Sequence, residues 1–413
     1  MAVSYLSRLA ITNYRNLVSL DLELPTGVVV FFGSNAQGKT ALLEAVYTMA
    51  IARSFRAENE REVVNFKAAA DGEMALVGGV IQSQGSQLQV YVGYQSMPGR
   101  QTATMGDQGA SGRGQGGLSY SVRKQIRVSR VRRTASELVG MVHAVLFSAE
   151  DIELVLGPPS GRRRFLDIIL SQTDPMYVKS LQRYQKVIQQ RNQLLRLVRD
   201  GRAGREELEF WTGELVTEGS WLTWRRHQIV GRLGPLCDQK HGELSGPGGE
   251  FSLIYKANVP LADAEIGMEA NFREALAAVE ARERATATTA AGPHRDDFDL
   301  LIDGVDMGTF ASRGQARTLA LTLKLAEAAY LATTRTEGPM VLLDDVLSEM
   351  DSARRLRVLE QASQYQQTLI TTTDVELAHD FFAGEAAYFQ VEAGVVTPVD
   401  GGNVIPAAAN TST

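Results

Sequence analysis

The sequence predicts an α/β protein in which two sheet-bearing lobes, residues 1–158 and 289–413, flank an inserted helical, coiled-coil-like domain, residues 159–288. Three observations carry this reading. Alternating and continuous apolar runs near the start read as strands, a long central tract has apolar residues at steps of three and four, and strand-like runs resume after Phe298. A chain of 413 residues has room for two or three compact units. Its 44% apolar and 22% charged residues are ordinary for a globular protein, which argues against both global disorder and membrane insertion. No stretch approaches the roughly 18 apolar residues needed to cross a bilayer. The single cysteine, Cys237, cannot close an intramolecular disulfide, and the N-terminus lacks a secretory pattern, so a cytoplasmic protein is expected.

From Leu6 to Leu24 apolar and polar residues alternate, as in strands with one buried face, and Pro25-Thr26-Gly27 reads as a turn. Val28–Phe32 is a continuous apolar run, which suits a strand buried on both faces. Thr40–Ile51 has helical spacing, and the valine-rich Met74–Val92 reads as strand. Gly93–Gly117 holds eight glycines and is expected to be a disordered loop. Asp174-Pro175 reads as the N-cap and first residue of a helix that stops at Gly201. Along it Leu181, Tyr184, Ile188, Arg191, Leu195 and Val198 form a coiled-coil seam with one charged intruder. Leu208, Trp211, Leu215 and Leu222 supply a partner stripe, which predicts a helical hairpin. Met268–Arg284 is a third helix, Ala285–Gly292 ends the insert, and Gly401–Thr413 reads as a frayed tail.

Gly33-Ser34-Asn35-Ala36-Gln37-Gly38-Lys39-Thr40 matches G-x-x-x-x-G-K-[ST] between a strand and a helix. Such a loop cradles phosphates with backbone N–H groups, Lys39 reaches the outer phosphates, and Thr40 can ligate Mg²⁺. The run Pro339–Leu343 ends in Asp344 and Asp345; Asp344 is the expected metal carboxylate and Asp345 the group that polarises the attacking water. Ser312-Arg313-Gly314-Gln315 opens a helix and alone is an ordinary cap. Between a P-loop and an Asp-Asp strand it reads as a second phosphate-binding element. One triphosphate is already held by the P-loop, so a second element implies head-to-tail dimerisation, each Ser312 closing on the partner's nucleotide.

The order of P-loop, Ser-x-Gly-Gln helix, Leu342-Leu343-Asp344-Asp345 and a D-loop at Ser348–Asp351 resembles the ABC-type ATPase heads of the SMC group, and within it the RecF family of bacterial recombination and replication-repair ATPases. The resemblance extends over Asn13–Leu17, Leu42–Ala45, Ser54–Arg56, Pro158–Asp167, Arg191-Asn192, Gly292–Asp297 and Ser312–Arg317. Ala149 and Met350 depart from the family pattern, and no glutamine stands out as a Q-loop. The resemblance implies an ATP- and Mg²⁺-using, DNA-binding protein that dimerises on ATP and acts with RecO and RecR at gapped DNA to promote recombinase loading. It places Thr373 where ABC heads carry a γ-phosphate histidine. Threonine carries no charge and Asp345 is one methylene shorter than glutamate, so hydrolysis is expected to be slow.

Net charge is −6, which taken alone argues against a nucleic-acid partner, but the distribution is uneven. Gln108–Ser136 holds seven basic residues (Arg113, Arg123, Lys124, Arg127, Arg130, Arg132, Arg133) and no acidic one, and Lys179–Arg205 holds eight against Asp200 alone. These zones are the candidate DNA surface. A transporter-type ATPase subunit is the alternative, although 279 residues and a helical insert separate Gly33 from Ser312. An ATPase-nuclease would need a further acidic domain, and only 62 residues follow Asp351. His294-Arg295-Asp296 lacks the asparagine and Asp-Phe-Gly of protein kinases, and the scattered histidines have no zinc spacing. Trp211, Trp221 and Trp224 read as helix packing.

Overall fold

The computed structural model describes residues 4–83, 86–98, 120–246, 249–334, 338–382 and 384–400. Its strands are β1 (Ser4–Tyr14), β2 (Leu17–Glu23), β3 (Gly27–Phe32), β4 (Met74–Ser83), β5 (Ser86–Pro98), β6 (Tyr120–Val128), β7 (Val131–Arg133), β8 (Ala144–Ser148), β9 (Phe251–Lys256), β10 (Asp297–Ile302), β11 (Val305–Asp306), β12 (Met340–Asp344), β13 (Gln367–Thr372), β14 (Ala387–Glu392) and β15 (Val395–Val399). The chain forms two compact units, Met1–Ser148 with Thr336–Thr413, and Ala149–Arg335.

The first unit contains two six-stranded sheets. One is antiparallel, in the order β2-β1-β4-β5-β6-β7; the other runs β15-β14-β3-β13-β12-β8 and is parallel except for β15. β3 and β12 lie inside the parallel sheet, which is why their apolar runs are unbroken: neither face meets water. β1 and β2 alternate because only one of their faces is covered. The Lys39–Ile51 helix packs on strands of both sheets and is buried on nearly every side, so it lacks the polar face of a surface helix. Its Leu42, Val46 and Met49 join Leu9, Ile11, Val77, Val92, Leu342 and Leu369 in one continuous core. Gly93 does not begin a loop, as the composition led us to expect. Residues 93–98 continue β5, because pairing with β6 satisfies their backbone groups. The remainder of that expected loop and the expected tail at 401–413 lie outside the described residues.

In the second unit Asp174 caps the Pro175–Arg199 helix by accepting from Met176 N at 2.9 Å. The helix ends where Gly201 N donates to Val198 O and Arg202 N to Leu197 O, with Gly201 at φ 68°. It pairs antiparallel with Arg205–Ser245, a 41-residue helix that continues through Pro235. Met268–Thr286 packs on both through Phe272 and Leu276, and β9, β10 and β11 form a small antiparallel sheet. On the expected seam Tyr184, Arg191 and Leu195 are buried, whereas Leu181, Ile188 and Val198 are half-buried, and Val187, off that seam, is buried instead. The buried stripe follows packing against two helices rather than one partner.

Candidate nucleotide site

The P-loop needs glycine at two points for distinct reasons. Gly33, after β3, has φ 153°, and a Cβ there would lie 2.3 Å from Val391 O. Gly38 has φ 115° and backs onto Asn16. Gly394 N, in the β14–β15 turn, donates to Gln37 O at 3.0 Å and steadies the loop from outside. Lys39 curls over it, with Nζ donating to Gly33 O at 2.7 Å and Ser34 O at 2.8 Å. Burial pulls the ammonium below its ordinary pKa, against the pull of Asp345 and Asp344.

Asp344 closes β12 beside Thr371 of β13. Its Oδ1 accepts from Thr40 Oγ1 at 2.9 Å and from Thr371 Oγ1 at 2.8 Å. Burial raises the carboxyl pKa, and the two hydroxyls and Arg56 oppose that shift. Asp345 N donates to Thr371 Oγ1 at 3.0 Å, and the residue sits in the left-handed region at φ 52°. Asp345 Oδ1 is buried and has no hydrogen-bond partner, a costly state for a carboxylate oxygen in a finished fold. Thr373 lies just past β13 and is exposed. Thr371 was missed by sequence reasoning because only strand register sets it beside Asp344.

Beside these groups lies a cleft of about 1010 Å³. Asn35, Ala36, Gly38, Lys39, Thr40 and Asp345 line it on the P-loop side, and Asn16, Val18, Arg56 and Asn65–Lys67 line it elsewhere. The geometry of that second wall comes from Glu44, which is fully buried on the P-loop helix. Glu44 accepts from Arg15 Nη2 at 2.7 Å and Nε at 3.0 Å, and also from Ser54 Oγ. Ser54 Oγ in turn accepts from Arg56 N at 3.0 Å. Asn13–Leu17, Leu42–Ala45 and Ser54–Arg56, separate in the sequence, therefore meet at one ion pair. Arg56 lines the cleft, whereas the nearby Arg53 is exposed and is not among its lining residues.

Ser312 belongs to the second unit. It is exposed and forms a capping box: its Oγ accepts from Gln315 N at 3.3 Å, and its N donates to Gln315 Oε1 at 2.9 Å. The Gly161–Asp167 and Gly292–Asp297 segments meet in the same unit around Arg226. Arg226 donates to Asp167 Oδ1 at 2.8 Å and to Pro293 O at 2.6 Å, and Arg162 pairs with Asp297 at 2.6 and 2.8 Å. His294-Arg295-Asp296 thus serves a buried polar network, with Asp296 accepting from Asn258 N and Tyr255 Oη. No local pattern marked Arg226.

The basic zones are used unevenly. Lys124 pairs with Glu60, Arg133 with Glu137, and Arg191 is buried against Glu283. Arg123, Arg127, Arg130 and Arg132 are exposed around the β6–β7 hairpin, with Arg127 opposite Arg132. Lys179, Lys186, Arg196 and Arg202 are exposed in the second zone. Arg113 and the Arg205 side chain lie outside the described residues.

Residues 5–394 match the family model of the RecF/RecN/SMC N-terminal domain. The chain is 38% identical over 397 residues to the DNA replication and repair protein RecF of Herpetosiphon aurantiacus, covering 95% of this chain and 100% of that one. It is 37% identical over 408 residues to RecF of Roseiflexus castenholzii, at 95% and 100% coverage. A solved RecF–ATP structure, described as the recombination mediator of the RecFOR pathway, superposes with TM-score 0.82 at 29% identity over 96% of this chain and 98% of that one. The Smc head domain of Pyrococcus furiosus, at TM-score 0.51 and 13% identity, shares the fold. None of these matches supports the transporter alternative. Among the described residues no helix is long and apolar enough to cross a membrane.

Proposed function

The chain belongs to the RecF family of DNA replication and repair proteins, and from that membership we propose that it is an ATP-dependent DNA-binding protein of recombinational repair and replication restart. It dimerises on ATP and acts in the cytoplasm with RecO and RecR at gapped DNA to promote recombinase loading. The observation that carries the nucleotide part is the meeting of Thr40 and Asp344 at 2.9 Å beside a glycine-shaped P-loop. Gly33–Thr40 hold the phosphates through backbone N–H groups, and Lys39 exchanges its carbonyl partners for phosphate oxygens.

The Thr40 hydroxyl and the Asp344 carboxylate are hard oxygen donors at the mouth of the P-loop helix, a donor set that fits Mg²⁺. Bound there, the ion would offset phosphate charge. Asp345 polarises the attacking water through its unpartnered oxygen, Thr373 faces the γ-phosphate, and Ser312 closes on the nucleotide of a second copy. The uncharged Thr373 and the short Asp345 side chain favour slow ATP hydrolysis, suited to a timed clamp. The exposed arginines and lysines of the two basic zones bind duplex and gapped DNA through phosphates, without reading sequence. The motif order supports lobes at 1–158 and 289–413 around a helical insert at 159–288 as the functional division.

Light scattering with and without ATP, and then with DNA, tests the scheme. The expected result is a doubling of mass with ATP and retention of DNA by the dimer. A chain that stays monomeric with ATP and DNA overturns it.

A further inference from the structure

Phe66 is 84% exposed, an unusual setting for a phenylalanine, and it belongs to the lining of the P-loop cleft. Its backbone is nevertheless held firmly. Asn65 N donates to Asn13 O at 2.8 Å, Asn65 Nδ2 to Arg15 O at 2.7 Å, and Arg15 N to Val63 O at 2.8 Å. Asn65 Oδ1 accepts from Lys67 N at 3.1 Å, which fixes the turn that carries the ring. Arg15 is in turn clamped to Glu44 of the P-loop helix. The ring is therefore uncovered but registered to the phosphate-binding loop through Asn65, Arg15 and Glu44. Val18, 60% exposed, is a second bare apolar side chain in the same lining.

The P-loop side offers N–H donors, an ammonium and a hydroxyl, all suited to phosphate and none to a purine or pyrimidine face. We propose that Phe66 is the stacking platform for the nucleobase of the nucleotide whose phosphates the P-loop holds. This rests on the nucleotide reading above and extends it: the chain distinguishes nucleoside polyphosphates from bare polyphosphate through one aromatic ring. The backbone that carries the ring is already held, so binding a base orders only the Phe66 side chain and not the segment beneath it. Because every base has a π-face, the platform favours a nucleoside without selecting strongly among bases.

The test is equilibrium titration of wild type, Phe66→Ala and Phe66→Trp with ATP and with inorganic tripolyphosphate, at two protein concentrations. Phe66→Ala should weaken ATP about tenfold and leave tripolyphosphate unchanged. Phe66→Trp should keep ATP affinity and lose indole fluorescence on binding ATP but not tripolyphosphate. Unchanged ATP affinity in Phe66→Ala, or equal weakening of both ligands, overturns the platform. So does an effect that disappears on dilution, which would mean that a second copy of the chain covers the ring. If wild type binds neither ligand, the nucleotide reading itself fails.

Discussion

Thr40 donates to Asp344 at 2.9 Å across 304 residues of sequence, and Thr371 donates to the same carboxylate oxygen from the neighbouring strand. The P-loop and the strand-end acid are therefore joined before any ligand enters. Thr371 also accepts from Asp345 N, so one hydroxyl holds the Asp344 carboxylate and the backbone of Asp345. Asp345→Asn should leave ATP binding intact, reduce hydrolysis on the order of a hundredfold, and accumulate ATP-bound dimers. Single-turnover hydrolysis and light scattering measure the two effects; a normal rate would show that Asp345 is not the base.

Ser312 is exposed and its hydroxyl caps its own helix, so the side chain presents no barrier to a second copy. Ser312→Arg should spare monomer ATP binding and prevent ATP-dependent dimerisation. Persistence of the dimer in light scattering would refute head-to-tail closure.

Arg127 and Arg132 stand opposite each other and exposed on β6–β7, and Arg196 is exposed near the end of a helix, with Arg199. Charge reversal at either pair should lower DNA affinity by tenfold or more. The slope of log affinity against log salt should flatten by about one for each DNA phosphate that the variant no longer neutralises. A gel-shift salt series separates the zones, since a pair whose reversal changes nothing is not part of the surface.

Arg191 and Glu283 form an ion pair with side chains only 4% and 2% exposed, while Arg284 and Glu280 on the same helix pair in solvent. Glu283→Gln leaves a buried guanidinium uncompensated and should cost about 3–5 kcal/mol in urea unfolding. Glu280→Gln should cost less than about 0.5 kcal/mol. Similar destabilisation at both positions would contradict the burial argument.

His294 lies against Tyr184 Oη at 2.8 Å and Thr289 O at 3.2 Å, and burial pushes its pKa from 6.5 down to about 4. Between those values the unfolded chain binds a proton that the folded chain refuses. Stability of this unit therefore falls as pH drops through that window, by at most ~3 kcal/mol. His294→Gln should flatten the pH dependence of urea unfolding between pH 4 and 6.5; an unaltered slope would assign the effect to other groups.

The readable features of this chain were those whose physics is local. The glycines of Gly33–Thr40 impose a backbone path, Val28–Phe32 and Met340–Leu343 avoid water on both faces, and Asp174-Pro175 with Gly201 starts and stops a helix, all within a few residues. Arg191 looked like an intruder on a coiled-coil seam because its partner Glu283 lies 92 residues away. Thr371, Arg226, the Arg15–Glu44 clamp and the bare ring of Phe66 were invisible for a related reason. Each gains its role from strand register or from a charge brought out of water beside it, and folding alone creates those neighbours. Spacing and periodicity thus named the phosphate loop and its acids. Three-dimensional packing decided which side chains hold them and what faces the rest of the cleft, since desolvation and hydrogen-bond pairing depend on proximity in space and not along the chain.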